Sequence, residues 1–304
     1  MKTILQAAFA ALILAVPAAY ADGIAFITNL KGEVAVDGNP RPALLGELAR
    51  GQKISVGKES QASVMYIASG KEYLLKGPAD YLVKDTEISG TAGMPPVTRD
   101  TAWRTNNKVL VQVAQTSAAS VRMRSLAPSK SDVADRLLFP TQDRVASLQP
   151  TFRWRAADPK AQGEFVLLVA GEDKPVHHAK ALGGSYRVPA RLRPDTEYSW
   201  MVTVAGSELG TGKFRTLSSE ALTQVEKRKP SDKAEFSDRI LFTLMLHEMG
   251  ATQEARESWS KLSQERSDLP ELAAFAKGSA SPLSRHSRRG LSRRTPRRSH
   301  SSRT

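Results

Sequence analysis

Cysteine is absent from all 304 residues, which excludes disulfide staples, thiolate nucleophiles and thiolate metal sites. Every domain must therefore hold through packing. Histidine is scarce, with five residues in the chain. Only His177 and His178 are neighbours, and adjacent residues on a strand point to opposite faces, so the pair cannot converge on one metal ion; it reads as an exposed loop pair. Acidic residues are scattered, and no two form a set suited to general acid and base roles. Long apolar runs are missing after the first twenty residues, so no later stretch predicts a membrane span. Together these absences predict a protein that is not an enzyme and carries no metal or cofactor.

Two short matches to catalytic motifs fail on context. Ser55-Val56-Gly57-Lys58 has the Ser-x-x-Lys spacing of acyl-transferring enzymes, which need a helix there, yet it reads as a strand running into a glycine turn. Gly210-Thr211-Gly212-Lys213-Phe214 mimics part of a phosphate loop but lacks the hydroxyl residue after lysine, and it lies between strands.

Charge is present in excess. The formal net charge is +13, but Ser281 to Thr304 holds eight arginines and no acid, and without them the balance is +5. That composition cannot form a core and predicts a disordered tail. Arg288, Arg289, Arg293, Arg294, Arg297 and Arg298 are its candidate contacts to an anionic surface. No aromatic interleaves them, which argues against base stacking and so against nucleic acid as the partner. The composition changes abruptly after about Lys277, so the tail reads either as a genuine polyanion-binding extension or as out-of-frame translation of a GC-rich gene.

In chain order, Met1 to Ala21 has Lys2, an apolar run from Ile4 to Val16 and Ala19-Tyr20-Ala21, the pattern of a secretory signal cleaved after Ala21. No cysteine follows it, so a lipid anchor is not expected. The mature chain is predicted to be periplasmic, without a transmembrane span. From Leu30 to Val83 short apolar runs are cut by glycines at near-regular intervals, as a small antiparallel sheet requires. Strands are predicted over Gly23–Asn29, Gly32–Val36, Lys53–Val56, Gln61–Ile67, Glu72–Lys76 and Tyr81–Lys84, with tight turns at Asp37-Gly38 and Ser69-Gly70. Residues 90–137 read as a linker with an additional strand or short helix.

The run Leu30-Lys31-Gly32-Glu33-Val34-Ala35-Val36, then Leu45-Gly46-Glu47-Leu48, Gly51-Gln52-Lys53-Ile54-Ser55-Val56-Gly57 and Gln61-Ala62-Ser63-Val64 resembles the FecR domain of bacterial envelope proteins. The resemblance implies an all-β periplasmic module over 22–89. The family's best-known members are regulators that cross the inner membrane and relay receptor occupancy to a sigma factor. A cleaved chain carries over only their binding or scaffolding half. Val56-Gly57 and Ser69-Gly70-Lys71 depart from the family's usual turns and mark where binding would differ.

Over 138–217, Leu192-Arg193-Pro194-Asp195-Thr196-Glu197-Tyr198-Ser199-Trp200 and Gly212-Lys213-Phe214-Arg215-Thr216-Leu217 resemble a fibronectin type III sandwich. In that arrangement the Tyr198 hydroxyl bonds back to backbone near Leu192, and Trp154 and Trp200 share the core. After Thr216 the apolar period changes to about 3.6. Ser218 or Ser219 caps a first helix, and Phe236, Ile240, Thr243, Leu244 and His247 form one stripe ended by Gly250 at C′. Glu254-Ala255, Trp259 and Leu262 then follow a spacing similar to a single tetratricopeptide hairpin over about 232–275. A lone hairpin must bury its apolar face elsewhere, and the sandwich is the expected host, with a partner as the alternative.

The predicted fold class is mainly β with a C-terminal α-helical segment: a small β module, an Ig or fibronectin-like sandwich, helices over 218–277 and a tail over 278–304. The predicted function is a non-catalytic periplasmic binding, scaffold or sensor protein. Its expected partner is an envelope protein or peptidoglycan glycan; Tyr66, Tyr73 and Tyr81 read first as core or edge packing and second as exposed contacts to it. The alternatives are an accessory subunit of an enzyme acting on cell-wall glycan and a component of a FecR-type transmembrane signalling system.

Overall fold

The computed structural model of the chain describes residues 23–103, 110, 136–231 and 233–277. Among these the fold is mainly β with a helical C-terminal segment. The predicted signal, most of the segment 104–135 and the arginine tail lie outside the described residues. No described helix is long and apolar enough to cross a membrane.

The first unit contains β1 (Ala25–Lys31), β2 (Val34–Val36), β3 (Glu47–Leu48), β4 (Lys53–Val56), β5 (Gln61–Tyr66), β6 (Glu72–Lys76), β7 (Ala79–Val83), β8 (Ile88–Gly93) and β9 (Val97–Arg99). They form two antiparallel sheets, ordered β3-β1-β5-β6-β9 and β2-β4-β7-β8. Asp37 and Gly38 both take positive φ, as the sharp reversal after β2 requires. The unit runs past its predicted limit at Ser89. β9 pairs with β6, with Arg99 opposite Glu72, so part of the expected linker is sheet. Leu110 is helical and fully buried in the core of this unit.

The second unit is a two-sheet sandwich built from β10 (Leu137–Phe139), β11 (Arg144–Val145), β12 (Thr151–Trp154), β13 (Gln162–Val169), β14 (His177–Leu182), β15 (Ser185–Arg187), β16 (Glu197–Val204) and β17 (Ser207–Thr216). Its sheets are ordered β10-β12-β15 and β11-β17-β16-β13-β14. Alternation along β13 and β16 turns Phe165, Leu167, Trp200 and Val202 inward. Trp200 meets Phe152 at 5.1 Å, Phe165 at 5.9 Å and Trp154 at 6.3 Å between ring centroids. Gly212 lies opposite it in register, where a β-carbon would come within 2.2 Å of the indole nitrogen. The Tyr198 hydroxyl accepts the Arg193 N–H at 2.8 Å, one residue from the predicted position. Tyr198→Phe should therefore lower the stability of the sandwich by about 1 kcal/mol, measured by denaturant titration; an unchanged midpoint would show the bond contributes nothing.

The C-terminal segment holds α1 (Ser219–Arg228), α2 (Phe236–Glu248), α3 (Thr252–Glu265) and α4 (Pro270–Ala276): the expected first helix and helical hairpin, with α4 in addition. Ser218 caps α1, its side chain accepting the Ala221 N–H. Gly250, at φ 81, ends α2. Its N–H bonds His247 O and the Ala251 N–H bonds Leu246 O, the paired bonds of a Schellman stop.

The expected host of these helices is corrected by the packing. Ile240, Leu241, Leu244, Trp259 and Leu262 share one continuous core with Phe26, Val64 and Tyr81 of the first unit, while the sandwich keeps a separate core. An apolar stripe shows that a face must be covered but not by what.

Candidate interaction surfaces and the helical junction

Three arginines fix the helices to the first unit. A bulge in β1 between Ile27 and Asn29 leaves Thr28 without a strand partner, and its hydroxyl donates to Glu72 Oε1 at 2.7 Å. Arg99 then donates to Glu72 Oε2 through Nε at 2.7 Å, to Asp238 Oδ2 at 2.7 Å and to Ser237 Oγ at 2.8 Å. Glu72 is only 3% exposed, so this arginine supplies the countercharge a buried carboxylate needs. Arg266 reaches Asn29 Oδ1 at 2.8 Å and the Leu30 carbonyl, and the Arg228 guanidinium lies 5.6 Å from the Trp103 ring centroid.

The turn between α2 and α3 grips the sandwich through a different set. The Arg144 N–H donates to Gly250 O at 3.0 Å. Gln253 accepts from the Thr141 N–H at 2.9 Å and donates to Leu138 O at 3.1 Å. Glu254 Oε2 accepts the Ala146 N–H at 2.8 Å, and Arg153 pairs with Glu257. The helices thus bond both β units.

Glu254 has no Lys or Arg paired with it among the described residues, and burial pushes its carboxyl up to about 7; the Ala146 N–H opposes this and Glu257 reinforces it. The junction therefore retains a proton that the unfolded chain releases near its ordinary value of 4.5. Its contribution is greatest in acid, declines as pH rises from 4.5 through about 7, and then levels off. His247 acts in the opposite sense: burial holds its ring below the ordinary value of 6.5, so acid weakens whatever depends on its burial. Glu254→Gln isolates the first effect. The variant should match the wild type at about pH 5 and exceed it by up to about 3 kcal/mol at about pH 8, read from denaturant melts. An equal difference at both values would contradict this assignment.

The outward face of the three-stranded sheet is basic. Alternation along β12 sends Phe152 and Trp154 inward and Thr151 and Arg153 outward, with Arg155 continuing on the outward side. Arg136, just before β10, Leu138 of β10 and Arg187 of β15 face the same way, all exposed. Arg136 lies across from Arg155, whose N–H bonds the Arg136 carbonyl at 2.7 Å. Arg153 lies 5.0 Å over the Phe139 ring and is the one arginine of this face with a carboxylate partner among the described residues. No family model matches the chain. No curated protein is similar to it either. The surfaces must therefore be judged on their own chemistry.

Other candidates are placed as follows. Tyr66, Tyr73 and Tyr81 are buried, which agrees with their reading as core packing and removes the alternative of exposed contacts. The Tyr66 hydroxyl donates toward the Lys84 and Glu87 carbonyls, and that of Tyr81 to Lys76 O, because a tyrosine ring can fill a core if its hydroxyl finds a partner. His177 and His178 lie on β14 rather than in a loop; they diverge, His177 to the Tyr186 hydroxyl at 2.7 Å and His178 to Glu164 at 2.6 Å. Ser55 sits in β4 and Lys58 in the turn that follows it, and Gly210 to Phe214 lie in β17. No group of three potential metal ligands occurs among the described residues. The six tail arginines, Arg288 to Arg298, lie outside the described residues. No sequence cluster marks the basic sheet face, because its arginines are separated along the chain; strand alternation around Phe152 and Trp154 is the signal that points to it.

Proposed function

We propose that this protein is a non-catalytic scaffold or sensor of the bacterial envelope, exported to the periplasm, in which a FecR-type module and a fibronectin type III-like sandwich bind a protein or cell-wall glycan. The observation that carries this reading is the helical segment that bonds both β units, through Arg99 and Arg266 on one side and Gln253, Glu254 and Glu257 on the other. Such a segment holds two β surfaces at a fixed spacing, which suits recognition of an extended partner. Glu254 accepts an N–H across the junction with the sandwich, and Glu72 holds Arg99, which bonds Asp238 of α2, a structural use for groups that would otherwise be candidates for acid and base chemistry. Crosslinked pulldown of the mature chain from envelope extracts tests the reading. Recovery of one envelope protein or of muropeptides is the expected result. Turnover of cell-wall glycan by the purified chain, or no recovered partner, would overturn it.

A further inference from the structure

We propose that the outward face of the sheet β10-β12-β15 is a docking surface for an acidic protein segment, contacted by Arg136, Arg155 and Arg187. The proposal rests on the reading of the chain as a binding module and names the chemistry of one partner.

Charge placement is the first support. Residues 136–217 hold twelve Lys and Arg against eight Asp and Glu, whereas residues 23–103 hold nine of each; the folded body's positive excess is in the sandwich. On this face Arg136 and Arg155 are cross-strand neighbours, a placement that costs stability when the charges are alike and unpaired. None of Arg136, Arg155 and Arg187 has a carboxylate partner among the described residues, and all three are exposed. An incoming carboxylate between Arg136 and Arg155 would relieve that repulsion through charge-assisted hydrogen bonds.

Continuity with an interface already present is the second support. Arg153, between Arg155 and the Thr151–Arg187 pair in register, is bonded to Glu257 of α3. The face therefore already takes one carboxylate of this chain, and Arg136, Arg155 and Arg187 extend the same surface beyond it. Leu138, 43% exposed, offers an apolar contact beside them. Outward residues two apart on a strand are about 7 Å apart, so a segment laid along β12 with acids at alternate positions would meet the arginines in turn. Glu257, on the rim of this face, disfavours an anionic membrane, which would approach it and the arginines together.

The test uses the mature full-length chain and a fluorescently labelled peptide of alternating glutamate and serine, about ten residues long. Binding should protect the amides of 151–155 and 185–187 from hydrogen exchange. The triple variant Arg136→Gln/Arg155→Gln/Arg187→Gln should bind the peptide roughly tenfold more weakly. Lys53→Gln/Lys58→Gln/Lys76→Gln, which removes the same charge from the first unit, should bind unchanged, and the arginine tail is common to all three proteins. Equal weakening by both variants, or a footprint elsewhere, would overturn the proposal. So would loss of binding to phosphatidylglycerol vesicles in the arginine variant with peptide binding intact, since that assigns the face to lipid. An envelope partner recovered equally by wild type and arginine variant would refute this surface while leaving the binding role standing.

Discussion

Arg99→Ala should destabilise the first β unit and the helices together by roughly 3–5 kcal/mol, the usual consequence of removing one partner from a buried ion pair. Arg99 is the only positive charge bonded to Glu72 among the described residues, and Glu72 is almost wholly buried. The Thr28 hydroxyl alone cannot compensate an ionised carboxylate in that site. The same substitution releases Asp238 and Ser237, so the loss extends to the start of α2. Arg99→Ala combined with Glu72→Gln should recover a large part of the stability, because a neutral amide costs less to bury than a charge. Chemical denaturation followed by far-UV circular dichroism reads both. A single variant within about 0.5 kcal/mol of wild type would show that Glu72 is not held by Arg99.

Trp200→Ala should cost the sandwich about 3–5 kcal/mol, in the range of large aromatic deletions from a core. The indole fills the space bounded by Phe152, Phe165 and Trp154 and donates to Pro140 O at 2.6 Å. Its removal leaves a cavity and an unsatisfied carbonyl. Because the sandwich core is separate from the core shared by the first unit and the helices, the damage should stay local. Near-UV signal from the sandwich should melt early while the helical far-UV signal persists. Loss of both in one step would mean that the helices depend on the sandwich for their stability.

The two variants also separate what a sequence can and cannot disclose. The strands from Ala25 to Val83, other than the two-residue β3, are legible because Gly and Asp-Gly punctuate short alternating runs, and a positive φ is a local requirement. β8 and β9 are not, since Ser89-Gly90-Thr91-Ala92-Gly93 has no apolar alternation and β9 has three residues. The Tyr198 bond is legible because donor and acceptor lie five residues apart. Arg99 and Asp238 are 139 residues apart, and nothing local in either segment marks them as partners. The same holds for the helices: Ile240 and Leu244 declare an apolar stripe, but its partner is set by tertiary packing. The alternation of Phe152 and Trp154 with Arg153 and Arg155 does mark a basic face once β12 is placed. Which strands lie beside it, and hence the opposition of Arg136 and Arg155, comes only from the sheet order.

The helices belong to the core of the first unit and are joined to the sandwich chiefly through polar contacts. Native-state hydrogen exchange across increasing denaturant tests this arrangement most directly, because amides that open together share one opening free energy and one denaturant dependence. Amides of Ile240 to Leu246 should open with those of β1 and β5, apart from those of Phe165, Trp200 and Val202. If the α2 amides instead open with the sandwich, or by themselves at much lower free energy, the account is contradicted.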